Sequence, residues 1–182
     1  MTAPAAADPL PWRAGRVTLR RLRPDDLARF QAYRGDPEVG RYQGWEPMTD
    51  ADAAAMIAEM AAAPLPTLGD WVQIAIADAA TDHLIGDIGL HVSDSGEEAE
   101  LGITLARDFQ RRGLAEEAAR ALIAGLEADT AVRRLIGITD ARNTPSARLL
   151  ERVGMTFEAE EETIFRDEPC REARYALSLR SD

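Results

Sequence analysis

From Trp71 to Arg107 hydrophobic side chains tend to fall on every second residue, and beyond Gly113 they fall on every third or fourth. That switch of period constrains the fold more than any other feature of the chain. Val72, Ile74 and Ile76 mark one face of a first strand, Leu84 to Val92 a second, and Ala99, Leu101, Ile103 and Leu105 a third. Turn segments at Asp78 to Asp82 and Ser93 to Gly96 separate them, so the three form an antiparallel meander. Past Gly113, the stripe Leu114, Ala118, Leu122 and Leu126 is helical, with Glu116 facing Arg120 one turn on. Such a helix is a crossover, after which Leu135 to Thr139 can lie parallel to the strand before it.

The flanks complete one domain. Val17 to Arg20 alternate as a half-buried strand, Pro24, Asp25 and Asp26 punctuate it, and a helix follows. Thr49 caps a second helix through Asp52, with Ala53, Met56, Ile57 and Met60 at helical spacing. Thr144 as cap and Pro145 at the first helical position open a further helix that Gly154 closes. Thr156 to Glu160 and Tyr175 to Leu179 are the last two strands. The expected fold is α/β (α+β): a single mixed, mostly antiparallel twisted sheet of about seven strands flanked by about four helices. Residues 1–14, rich in Ala and Pro, are expected to be a flexible arm, and 15–182 a single domain.

Charge narrows the partners. The 32 acidic and 21 basic residues leave a net charge of -11, which repels nucleic acid and an anionic membrane and attracts cationic molecules. The single cysteine, Cys170, stands in a polar stretch ahead of the last strand and has no partner for an internal disulfide. His83 and His91 lie apart and read as ordinary surface or strand residues, so no metal site is expected. No apolar run has the length of a membrane span and the first residues lack the pattern of a secretion signal, so a cytoplasmic location is expected.

Chemistry concentrates in Gln110-Arg111-Arg112-Gly113-Leu114-Ala115, between the end of a strand and the first turn of the crossover helix. A helix start carries unpaired N–H groups and partial positive charge and is a natural anion site. Small residues at 113 and 115 let a pyrophosphate come close to those N–H groups, and Arg111 and Arg112 add charge. The segment matches neither the phosphate loop ending Gly-Lys-Ser/Thr nor Gly-x-Gly-x-x-Gly, which disfavours a nucleoside triphosphatase or a dehydrogenase.

With these six residues the chain resembles the GNAT superfamily of acyl-CoA N-acetyltransferases, whose cofactor loop reads Gln/Arg-x-x-Gly-x-Gly/Ala after a strand. Four further matches resemble the branch of ribosomal-protein alanine acetyltransferases (RimJ/RimL-type). They are Leu19-Arg20-Arg21-Leu22 before Asp25-Asp26, Asp36-Pro37-Glu38-Val39 before Arg41, Glu100-Leu101-Gly102, and Asn143-Thr144-Pro145-Ser146 running to Glu151-Arg152-Val153-Gly154-Met155. The likeness implies a sheet splayed near its middle. In it the pantetheine arm of acetyl-CoA would bond the strand backbone at Ile103, Thr104 and Leu105, and Asn143 would contact the same arm.

The resemblance also implies a base near Glu100 to deprotonate the acceptor amine, with Glu98 two residues earlier on the same face; either carboxylate can instead attract a cationic substrate or belong to a solvated strand edge. Many members protonate the leaving thiolate with a tyrosine four residues before the helix-ending glycine. Here that position is Leu150, which leaves Ser146 or a water for the task. Tyr42 and Trp45 line the acceptor pocket or anchor their loop by packing. The expected activity is direct acetyl transfer from acetyl-CoA, as co-substrate and without a metal, to a primary amine: a peptide N-terminus or a cationic small molecule. The alternative is a non-catalytic acyl-CoA-binding or sensing domain. Monomer and homodimer both remain open, and Cys170 is not expected to act as nucleophile.

Overall fold

The computed structural model describes residues 8–179. Within them lie eight strands, β1 (Trp12–Ala14), β2 (Val17–Arg20), β3 (Trp71–Asp78), β4 (Leu84–Val92), β5 (Glu98–Leu105), β6 (Arg134–Asp140), β7 (Thr156–Phe165) and β8 (Glu168–Ser178). The four α-helices are α1 (Leu27–Arg34), α2 (Asp50–Ala62), α3 (Leu114–Asp129) and α4 (Thr144–Arg152). One open sheet runs in the order β1-β2-β3-β4-β5-β6-β8-β7. Only β5 and β6 pair in parallel, as the α3 crossover requires.

Two apolar layers clamp the sheet. The larger packs Leu114, Ala118, Leu122 and Leu126 of α3 and Leu149 and Leu150 of α4 against one face. Burying a leucine such as Leu122, fully enclosed here, contributes about 2 kcal/mol. The smaller joins Phe30 and Tyr33 of α1 and Ala53 and Ile57 of α2 to Ala75 and Leu84 on the other face. With α-helices on both sides, eight of the nine β4 residues are buried, hence its near-continuous apolar composition.

The structure departs from the sequence-based expectation at three places. Residues 1–7 of the expected arm lie outside the described residues, but Trp12–Ala14 form β1. Trp12 is buried against α3 at Gly125, where a Cβ would lie only 2.1 Å from the indole ring, and the Trp12 Nε1 donates to Asp129 at 2.7 Å. The cap of α4 is Asn143, not Thr144, because its side-chain oxygen accepts from the Ser146 N–H. The last two strands are much longer than expected, turning at Arg166 and Asp167 with φ of 52° and 63°. This tight turn lacks glycine, and solvent-facing glutamates on the edge strand β7 hide its period. Cys170 therefore sits inside β8, opposite Thr163.

Candidate active site

The parallel ladder of β5 and β6 stops at Leu101↔Gly137, although β5 continues to Leu105 and β6 to Asp140. The strands part, and alternate backbone groups of residues 102–105 face the gap. From the gap opens a cleft of about 990 Å³. Its walls come from β5, the starts of α3 and α4, the loop following α1, and β8.

The loop ahead of α3 is built for close approach. The Gln110 side chain folds back to donate to the Leu105 carbonyl at 2.9 Å, fixing the loop to the end of β5. Arg111 and Gly113 then adopt φ of 59° and 80°, and Gly113 caps the helix. The first bond within α3 that begins at the cap runs from Glu117 N–H to the Gly113 carbonyl at 3.1 Å. The N–H groups of Leu114, Ala115 and Glu116 thus precede the helical ladder and point toward its start. Arg111 and Arg148 also line the cleft, and neither has a carboxylate partner among the described residues.

Several expected residues meet here. Ile103, Thr104, Leu105, Gln110, Arg111, Gly113, Ala115, Asn143, Ser146 and Tyr42 all line the cleft. Others face elsewhere. The Arg112 guanidinium lies over the Phe109 ring, 5.7 Å from its centroid. Leu114 is buried in the main core and offers only its backbone. Trp45 turns inward beneath the Arg34 guanidinium, 3.9 Å from its ring, and so anchors its loop. Glu98 is held by Arg134 at 2.7 Å and Arg174 at 3.6 Å.

Glu100 is not among the residues that line the cleft; it stands two residues before Gly102 of the wall, on the same face of β5, opposite His91. Partial burial pushes its carboxyl above the usual range; His91 and Arg174 oppose that shift, and Glu172 and Glu98 add to it. Glu172, Cys170 and Phe165, brought by the long β7–β8 hairpin, form part of the wall and were not singled out for it in the sequence. The only signal for them lay in recognising that hairpin. Burial pushes the Cys170 thiol up as well, which keeps it protonated and a poor nucleophile. Leu150, in the place of the family's tyrosine, also lines the cleft and presses on Gly137.

A family model described as the Acetyltransferase (GNAT) domain matches residues 16–156. The N-acetyltransferase p20 of Bacillus licheniformis is 31% identical over 146 residues, 80% of each chain. Among solved structures, a GNAT-family acetyltransferase from Bacillus anthracis aligns with a TM-score of 0.82 at 22% identity, covering 93% of this chain and 99% of that one. The ribosomal-protein α-N-acetyltransferase RimL, solved with coenzyme A, aligns at 0.77 with 13% identity over 91% of this chain and 95% of its own. With the splayed sheet and the helix-start loop in place, these matches show that the chain belongs to the GNAT acetyltransferase family and is an N-acetyltransferase.

Proposed function

We propose that this enzyme moves the acetyl group of acetyl-CoA to a primary amine by direct attack while both are bound, the acceptor being a peptide N-terminus or a cationic small molecule. One observation carries the reading: the anion-accepting loop Gln110 to Ala115 and the free edge of β5 at residues 102–105 open into the same cleft. A CoA arm offers each of them a matching group, a pyrophosphate for the helix start and an amide-bearing chain for the strand edge. In this reading, the N–H groups of Leu114, Ala115 and Glu116 receive the pyrophosphate, and Arg111 and Arg148 add charge. The edge of β5 at Ile103, Thr104 and Leu105, with Asn143, holds the pantetheine arm and orients the thioester.

Glu100 takes the proton of the incoming ammonium, its raised carboxyl pKa making it a stronger base than a solvated glutamate. The neutral nitrogen then bonds to the thioester carbon, the carbon–sulfur bond breaks, and the sulfur leaves as thiolate. The nitrogen sheds its second proton as the amide forms, and Ser146 or a water relays a proton to the thiolate, so that none is gained or lost. Tyr42 flanks the acceptor, and Glu172 on the same wall, which has no ion-pair partner among the described residues, favours a cation. The neighbouring fold of RimL, a ribosomal-protein α-N-acetyltransferase, supports a peptide N-terminus as one acceptor class.

Thermal unfolding with and without acetyl-CoA tests the cofactor half of this reading. At a hundredfold excess over Kd the native state gains about 2.7 kcal/mol, a rise of roughly 5 to 10 °C in Tm. Gly113→Glu, which puts a strained side chain and a negative charge at the helix start, abolishes the rise. No shift in the unsubstituted protein would overturn the proposal; a shift justifies screening amines for CoA release.

A further inference from the structure

The first turn of α3 carries two carboxylates, Glu116 and Glu117, where the proposed function needs room for a doubly anionic pyrophosphate. A carboxylate beside a helix start competes with any other anion for the same N–H groups and the same positive field. Both are engaged. Glu116 is bridged by Arg120 at 3.0 Å and Arg152 at 3.2 Å. Glu117 is taken by a residue from the far side of the chain: Arg16, in the turn between β1 and β2.

The geometry of that contact is unusually complete. The Arg16 backbone N–H donates to Glu117 Oε2 at 2.6 Å, while its Nε and a terminal nitrogen donate to Oε1 at 2.9 and 2.5 Å. The same terminal nitrogen donates to the Arg112 carbonyl at 2.8 Å. One guanidinium therefore grips both the helix start and the peptide just ahead of Gly113, whose left-handed φ of 80° aims the following N–H groups. Glu117 is drawn to the hairpin side, and it is absent from the cleft wall that Ala115 and Glu116 share.

We propose that Arg16 is a positioning residue for the pyrophosphate loop, neutralising Glu117 and tethering the Arg112 carbonyl so that the start of α3 stays open to an anion. The inference rests on the proposed use of Gln110 to Ala115 for CoA. It assigns the β1–β2 hairpin a part in cofactor binding, though that hairpin contributes nothing to the cleft lining.

Calorimetric titration of CoA into four full-length proteins tests it: the unsubstituted chain, Arg16→Ala, Glu117→Gln and the double variant. Removing the cation exposes the carboxylate and weakens binding by about fivefold. Removing the carboxylate leaves an unopposed cation near the phosphates and tightens binding by about two- to fivefold. The double variant recovers part of the loss of Arg16→Ala, the remainder reflecting the lost tether on the Arg112 carbonyl. These differences shrink with added KCl. A merely structural ion pair would lose affinity in both single variants, so weakening by Glu117→Gln, or an unchanged affinity in Arg16→Ala, overturns the proposal. Should Arg16→Ala fail to fold, the direction of the Glu117→Gln change still decides. Absence of CoA binding by the unsubstituted chain overturns the cofactor reading, and the role of Arg16 with it; normal binding there with the wrong pattern in the variants overturns the role of Arg16 alone.

Discussion

The carboxylate of Asp36 and the guanidinium of Arg107 meet in two parallel contacts, of 3.0 and 2.6 Å, that tie the loop after α1 to the turn just ahead of Gln110. One partner belongs to the loop that carries Tyr42 to the cleft, the other to the turn that leads into Gln110. The pair is exposed at the arginine end, so its worth to global stability is small. Its worth to geometry is larger, because the loop it fixes also supplies Tyr42 to the cleft. Asp36→Asn is expected to raise KM for the acceptor several-fold with little change in Tm or in CoA affinity. Arg107 holds the Asp36 carboxyl below its usual range, so the pair is complete above that range and is lost only as pH falls through the lowered value. Steady-state kinetics of the variant beside a melting curve check both parts.

Arg34 and Asp87 lie 2.6 Å apart, and both are almost fully buried, with Arg34 over the Trp45 ring of the loop after α1. Tyr33 donates its hydroxyl to the same carboxylate at 2.8 Å. Removing one partner strands the other charge away from water, and Asp87→Ala is expected to cost about 3 to 5 kcal/mol. Tyr33→Phe removes one hydrogen bond and costs about 1 kcal/mol. Urea unfolding of the three proteins measures both; equal effects would mean that Asp87 is not balancing a buried arginine.

Gly113 has a left-handed backbone, and an added Cβ there would sit 3.5 Å from the terminal nitrogen of Arg16, ordinary contact distance. Space is thus available for alanine, and the cost is conformational, about 1 to 2 kcal/mol. Gly113→Ala is expected to lower Tm and to weaken CoA binding together, since the same strain displaces the N–H groups of the helix start. Parallel calorimetry and thermal unfolding check the pairing of the two losses.

The parts of the molecule that were legible in the sequence are those whose physics is local. The meander β3 to β5 followed from alternation, α3 from its stripe, and the turn that opens α3 from a glycine at the junction of the two. β1 was missed because three residues carry no period and Trp12 is fixed by a distant partner, Gly125. The full lengths of β7 and β8 were missed because β7 pairs on one side only, and its exposed glutamates erase the apolar–polar alternation. That omission had a functional consequence: Glu172 and Cys170 reach the cleft only through the hairpin. The placement of Trp45 was undecidable locally, since its partner Arg34 sits on another element and the contact between them is tertiary.

Glu100 joins activity and stability with opposite signs. Partial burial pushes its carboxyl pKa up, so the ionised form that the proposed mechanism uses as base is the form the fold tolerates less well. Because the folded value lies above the unfolded one, the contribution of Glu100 to stability is fullest below the ordinary carboxylate pKa. It is lost as pH rises through the raised value. At pH 7 the charge is therefore a burden on the fold, and Glu100→Gln is expected to raise Tm slightly at that pH and less at pH 4. The same substitution removes the base and lowers kcat/KM for the acceptor by about a hundredfold, with CoA affinity unchanged. In the unsubstituted enzyme the acidic limb of the pH–rate profile should lie above the ordinary glutamate range, and in the variant that limb should vanish. A variant that keeps both the rate and the limb would mean that water or another group takes the proton, and that Glu100 serves only to attract a cation.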